Sequence, residues 1–205
     1  MAKIKLTKGE LKKQKDSLGQ FERYLPTLQL KKQQLQIEIL RQLAILEDKS
    51  NQEKSRRAAI EAWAGLFAEP GINIRQWIKV GKVLTGTKNI AGVDLPVFEQ
   101  AEFVHMDYDL FTTPFWVDAA IEAIEQLISL REEIGVVEKG IAVLRQELRI
   151  TTQRVNLFEK VKIPEAEEAI RLIKIYLGDQ MANAVGRCKI AKRKIEELVL
   201  EGAAA

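Results

Sequence analysis

An apolar heptad opens near residue 7 and holds its register for eight repeats, and this constrains the chain more than any other feature. One seam position carries Leu11, Leu18, Leu25, Lys32, Ile39, Leu46, Glu53, Ile60 and Phe67. The other carries Gln14, Phe21, Leu28, Leu35, Gln42, Lys49, Arg56 and Trp63. Thr7 and Glu10 form a capping-box pattern at the start, and Glu69-Pro70-Gly71 offers a stop. Pro26 lies inside and predicts a local bend. As one helix, residues 7–68 would be about 93 Å long. A compact globule of this chain's 205 residues has a radius of gyration of roughly 17 Å and a diameter of about 40 Å. The arm therefore needs an equally long partner.

The second half of the chain supplies one. Thr113, Pro114 and Asp118 read as a helix start. A seam follows through Val137, Ile141, Leu144, Leu148, Thr151, Val155 and Phe158. After Pro164 it slips by about one residue and continues through Ile170, Ile173, Leu177, Ala184, Ala191 and Leu198. The expected fold is mainly α: a long antiparallel two-helix coiled coil with a short central β-hairpin and a small connecting helix. Its segments are an N-terminal helix (1–70), a connector (71–113) and a C-terminal helix (114–205). The hairpin is expected over about 72–98, where Ile72, Ile74, Ile78, Val80 and Leu84 share a parity and Pro96 suits an edge strand. A short helix also fits 72–80.

Composition excludes several classes. The 32 basic and 29 acidic residues nearly cancel, which argues against a dedicated nucleic-acid binder. No apolar run reaches the ~20 residues that span a bilayer, and no apolar signal core follows the N-terminus. One cysteine, Cys188, rules out an internal disulfide, and one histidine, His105, rules out most histidine metal sites. No phosphate loop, dinucleotide fingerprint, H-E-x-x-H or C-x-x-C is present. His105 with Asp107 and Asp109 reads as a polar loop rather than an acid–base cluster, since no nucleophile accompanies it. Cys188, between Arg187 and Lys189, reads as a small packing residue. Glu165, Glu167 and Glu168 read as acids at a helix start after Pro164. Trp63, Trp77 and Trp116 read as anchors of the hairpin on the coil. No catalytic residue, cofactor or metal site is expected.

Two surfaces remain. Residues 47–57 hold eleven positions without an apolar side chain, either a solvated helix stretch or a docking surface. Basic residues crowd both ends: Lys3, Lys5, Lys8, Lys12, Lys13 and Lys15 at the start, and Arg187, Lys189, Lys192, Arg193 and Lys194 near the finish. A fold-back brings these clusters together and asks for an acidic partner, with nucleic acid as the competing explanation.

Two motifs point to a family. Asn89-Ile90-Ala91-Gly92-Val93-Asp94-Leu95-Pro96-Val97-Phe98-Glu99 resembles the N-[IV]-A-G-V-x-L-P-x-F-E segment of the D subunit of V-type (A/V-type) rotary ATPases. Thr152-Gln153-Arg154-Val155-Asn156 through Ile163-Pro164 resembles its T-x-R-R-V-N segment and the I-P that follows, with Gln153 in place of the first arginine. The Leu6-Thr7-Lys8 opening is similar as well. Residues 178–186 are less charged than the family pattern, and 100–113 align with no family segment. The resemblance implies a non-catalytic rotor shaft that couples ATP hydrolysis or synthesis to rotation and ion translocation. The implied partners are the catalytic hexamer of subunits A and B, the small central-stalk F subunit, and the membrane-rotor adaptor called C or d, without nucleic acid. The implied location is cytoplasmic and peripheral to the membrane through the complex. On that reading Lys8, Lys12, Lys192 and Arg193 form a hexamer-facing tip, and Arg56 and Arg57 belong to the docking surface for the F subunit. A free-standing coiled-coil tether is the alternative.

Overall fold

The structure is a computed structural model, and it describes residues 5–69, 72, 74–106, 109 and 113–203, apart from the side chains of 68, 75 and 198–203. Expectations at Lys3, Pro70-Gly71, Asp107 and the Leu198 side chain lie outside the described residues. The chain is mainly helical. Helix α1 spans Lys8–Glu61, a 3-10 turn spans Ala64–Ala68, and α2 spans Ile74–Trp77. Strands β1 (Ile78–Ile90) and β2 (Val93–His105) form an antiparallel hairpin. Helix α3 spans Trp116–Leu157, a π-helical turn spans Phe158–Lys162, and α4 spans Ile163–Ala203.

The ends of α1 follow local chemistry. At the start, the Glu10 N–H donates to Thr7 Oγ1 at 3.3 Å. The reciprocal half of the box is spent elsewhere, because the Glu10 carboxylate accepts from Gln14 Nε2 at 2.9 Å. At the far end the helix stops at Glu61 rather than 68. The 3-10 turn that follows sets the Phe67 ring 5.2 Å from Trp63 and 5.8 Å from Trp116, centre to centre. Clustering three aromatic rings outweighs one further α-turn there. Pro26 is passed within a continuous helix.

Contacts divide the chain into two compact units: Leu30–Thr152, and Met1–Gln29 with Gln153–Ala205. Within the first, α1 and α3 run antiparallel. Lys31 Nζ meets Glu147 Oε1 at 3.0 Å, Lys49 meets Glu133 at 3.0 Å, and Arg56 donates to Gln126 Oε1 at 3.2 Å. The partner number falls as the α1 number rises. Leu35 and Leu144 are wholly buried, with Ile39 beside them and the hairpin residues Val93 and Leu95 against them. Each such leucine contributes about 1.5–3 kcal/mol of burial. A second cluster joins Ile78 to Val117 and Ile121 of α3, with Trp77, Phe103 and Trp116 packed around it. Trp77 and Trp116 thus lie where the hairpin root meets α3. In the other unit, Phe21 packs on Phe158 with ring centres 5.3 Å apart. Val155, Ala166, Ala169, Ile170 and Ile173 are buried there.

The hairpin starts later and reaches further than 72–98. One helical turn, Ile74–Trp77, precedes it, and β2 continues to His105. Phe103 packs into the root cluster and extends the pairing. The parity reading also fails beyond Val80, because the register shifts between Val80 and Lys82. Gly81 is the extra residue, and a Cβ there would sit 3.2 Å from Glu102 O. Val80 lines an apolar cavity together with Ile78 although it is 44% exposed, and past the bulge Val83 and Leu84 are both half-buried. The turn is Ala91-Gly92, both at positive φ (52° and 75°), as a two-residue hairpin turn demands. Asn89 ties it by accepting from the Gly92 N–H at 3.2 Å and donating to Asp94 at 2.6 Å.

Two further expectations change. Helix α3 begins at Trp116, and the Thr113 hydroxyl donates to Asp109 O at 2.8 Å instead of capping it. The bend expected at Pro164 takes the form of the π-turn. Pro164 has no N–H for a carbonyl one turn back, and the Ile163 N–H reaches Phe158 O. A π-turn inserts one residue into the helical repeat, which matches the one-residue slip of the seam.

Candidate functional site

The polar stretch 47–57 lies on α1 in the first unit. Its charged side chains divide between two directions. Lys49 and Arg56 reach α3 (Glu133 and Gln126), whereas Gln52 bonds Asp48 at 2.9 Å and Arg57 pairs with Glu61 at 3.2 Å along α1 itself. Arg56 and Arg57, expected to share one surface, therefore hold different partners. Two of the polar seam positions, Lys49 and Arg56, are explained by these cross-helix links. Each exposed pair of this kind contributes about 0.2–1 kcal/mol. Its larger effect is to set which residues lie opposite.

Beside the stretch is a polar cleft of about 350 Å³, walled by Lys49 and Arg56 of α1, Phe103 of β2, and Glu125 and Glu133 of α3. Glu125 Oε1 is buried and receives no hydrogen bond among the described residues; His105 Nδ1 lies 3.3 Å from it. The sequence suggested loop aspartates as the company of His105. Its observed partner is on α3, a pairing that only the hairpin's path creates. Gln126, Glu133 and Glu147 are the α3 partners of α1. They share a heptad position, so the signal was present in their spacing.

The basic residues lie in the second unit. Lys8 and Lys12 are exposed on α1. Lys192 and Arg193 are exposed on α4, each with an acid one turn on: Glu196 at 3.7 Å and Glu197 at 3.6 Å. The expectation that the two basic clusters lie side by side fails on register. Phe21 faces Phe158, so antiparallel pairing sets Lys8 level with about residue 171. Arg187 to Lys194 lie well beyond that level.

Of the seam residues, Leu35, Ile39, Ile141, Leu144, Thr151, Val155, Ile170 and Ile173 are buried. Leu11, Leu18, Leu25, Leu46, Ile60, Val137 and Leu148 are half-buried, while Ala184 and Ala191 are exposed. Cys188 is an exposed free thiol. Near the post-proline acids, Arg171 grips Glu168 with two bonds of 2.7 and 2.8 Å. Those bonds hold the Glu168 carboxyl below its ordinary pKa and raise that of Arg171. An apolar cavity of about 500 Å³ lies among Phe67, Ile72, Ile74, Ile78, Ile124 and Ile128. Among the described residues, no group of three or more His, Cys, Asp or Glu could hold a metal ion. Among the same residues, no helix is long and apolar enough to cross a membrane.

In the unit Leu30–Thr152, antiparallel helices packed under a two-stranded hairpin define a helical coiled-coil protein. The sequence model of the family described as the D subunit of ATP synthase matches residues 10–193. The V-type ATP synthase D subunit of Borreliella burgdorferi is 48% identical over 195 residues, covering 95% of this chain and 96% of that one. Those of Chlamydia caviae and Chlamydia felis are 33% and 34% identical over 198 residues, covering 96% of this chain and 95% of each relative. The chain belongs to the family of V-type ATP synthase D subunits.

Proposed function

We propose that this chain is the non-catalytic central-stalk subunit of a V-type ATP synthase, coupling ATP hydrolysis or synthesis in a catalytic hexamer to rotation and ion translocation. The observation that carries the reading is the family match across residues 10–193 of a chain whose long helices pair antiparallel. A torque-bearing element needs resistance to bending and twist. Two helices locked by burial at Leu35 and Leu144 and by ion pairs supply more of it than one helix. An irregular shaft in a ring of repeated subunits makes the ring positions inequivalent, which links catalytic state to shaft angle. The π-turn at Phe158–Lys162 is one such irregularity.

On this reading the partners are the hexamer of subunits A and B, the small F subunit, and the rotor adaptor C or d, and the protein is peripheral to the membrane on its cytoplasmic side. Lys8, Lys12, Lys192 and Arg193 face the hexamer. The F subunit docks on the polar stretch of α1 and the part of α3 linked to it. Nothing in the fold or the relatives favours a free-standing tether. Tagged pull-down from native membranes at moderate salt tests the assignment. Recovery of a catalytic hexamer with a small stalk subunit is expected, and recovery of this chain alone would reject it. In the same preparation, Arg56→Ala with Arg57→Ala lowers the yield of the small stalk protein; an unchanged yield rejects the docking surface.

A further inference from the structure

His105 is the chain's one histidine, and histidine is the side chain whose ordinary titration falls between about pH 5 and 8. It is the last residue of β2, paired with Ile78 at the first residue of β1. The next residue still holds to the hairpin root, because the Met106 N–H donates to Trp77 O at 3.0 Å. The His105 ring turns to helix α3, where its Nδ1 lies 3.3 Å from Glu125 Oε1.

The two groups differ in their access to water. The His105 side chain is 58% exposed and that of Glu125 21%. Glu125 Oε1 itself is buried, with no hydrogen-bond partner among the described residues. A buried carboxylate oxygen without a donor needs a reason. The cations of α1 that wall the same cleft are engaged elsewhere: Lys49 pairs with Glu133 at 3.0 Å, and Arg56 donates to Gln126. On α3, Asp118 and Glu122 precede Glu125 by two turns and one, and Glu122 accepts from Gln126. On the hairpin, Lys79 and Glu102 are exposed, and the connector adds Asp109. His105 is left as the group placed to serve Oε1.

Protonation decides whether it can. Neutral imidazole carries one N–H, and with that proton on Nε2 the Nδ1 lone pair faces the carboxylate, acceptor against acceptor. Charged imidazole carries an N–H on both nitrogens, so Nδ1 donates and opposite charges meet. We propose that His105 is a proton-operated latch, which fastens the end of β2 to α3 when the imidazole is charged and releases it when the imidazole is neutral. The exposed ring takes its proton from solvent, while the carboxylate oxygen stays shielded. An opened strand end offers the imidazolium no such partner, so the closed form is favoured at acid pH and loses that advantage as pH rises. The strand end so governed carries Phe103, which walls the polar cleft and packs into the root cluster. The latch therefore sets how firmly the cleft is walled, whether or not the cleft receives the small stalk subunit.

Hydrogen exchange of the full chain at about pH 5.5 and about pH 8, corrected for the intrinsic effect of pH, tests this. Protection of the Met106 amide is expected to fall about fivefold from the lower pH to the higher, the weight of ~1 kcal/mol. The amide of Leu144, in the buried cluster, should not follow it. Glu125→Gln keeps the shape and removes the charge, and His105→Gln removes the titrating group at an exposed strand end. Each is expected to abolish the pH dependence at Met106, with circular dichroism confirming that the variant remains helical. Unchanged protection at Met106 in the unsubstituted chain overturns the proposal. So does an equal fall at Leu144, which would be a global effect, or a pH dependence that survives either substitution.

Discussion

Leu35 and Leu40 lie on the same helix, one wholly buried and the other 67% exposed, and burial alone should separate them. Leu35→Ala is expected to cost about 2–5 kcal/mol, and Leu40→Ala less than about 0.5 kcal/mol. Thermal denaturation of the two variants checks this, and similar melting temperatures would show that the Leu35 cluster is not a core. Glu168 and Arg171 make a different kind of prediction. The bonds from Arg171 depress the Glu168 pKa, so their stabilising effect is present above the ordinary carboxylate value of 4.5 and is lost as pH falls through the depressed folded value. In Arg171→Ala, the Glu168 titration followed by NMR should move up toward 4.5. An unmoved midpoint would show that the guanidinium is not the cause. Much of this was legible in the sequence: Leu35 occupies a heptad seam position and Leu40 does not. Glu38 was not legible. It is buried among the apolar residues of α1, with Arg41 and Gln42 donating to its carboxylate at 3.1 and 2.9 Å. A buried charge kept by its own neighbours leaves no trace in apolar periodicity.

The helix around Pro164 shows which of two forces sets an irregularity. Proline explains why a turn widens near residue 160, yet the face beyond it buries Ala166, Ala169, Ile170 and Ile173 in the phase that the extra residue creates. Isoleucine burial is worth about 1.5–3 kcal/mol each. Packing therefore outweighs the relief that an unbroken α-helix would bring. Pro164→Ala is expected to keep the π-turn, with hydrogen-exchange protection at Ile170 and Ile173 unchanged. Loss of protection there would mean that the proline alone imposes the offset. The hairpin shows the opposite balance. Its turn chemistry was visible in Asn89 and Gly92, but its extent was not. Strand β2 reaches His105 because Phe103 finds the cluster around Val117, and the parity of β1 changes at Gly81 because one residue is left unpaired. Both depend on what lies opposite, which a local pattern does not carry.

Each compact unit has its own stability pattern, and the unit formed by Met1–Gln29 and Gln153–Ala205 holds both a packed and an unpartnered part of α4. Amides near Ile170 and Ile173 should exchange at least about tenfold more slowly than those between Met181 and Ile195, because a helix without tertiary packing frays at low cost. Exchange at equal rates would show that the distal helix is held by something other than packing. The sequence by itself determined the mainly helical fold with its central hairpin, the offset near Pro164 and the family, because heptad spacing, turn residues and motifs are written within a few turns of chain. Only the tertiary structure decided which residues of α1 and α3 meet, where the hairpin lies, and that the two basic clusters stand apart. Those depend on register between segments 70 to 116 residues apart, and register is set by the whole set of contacts that must close together.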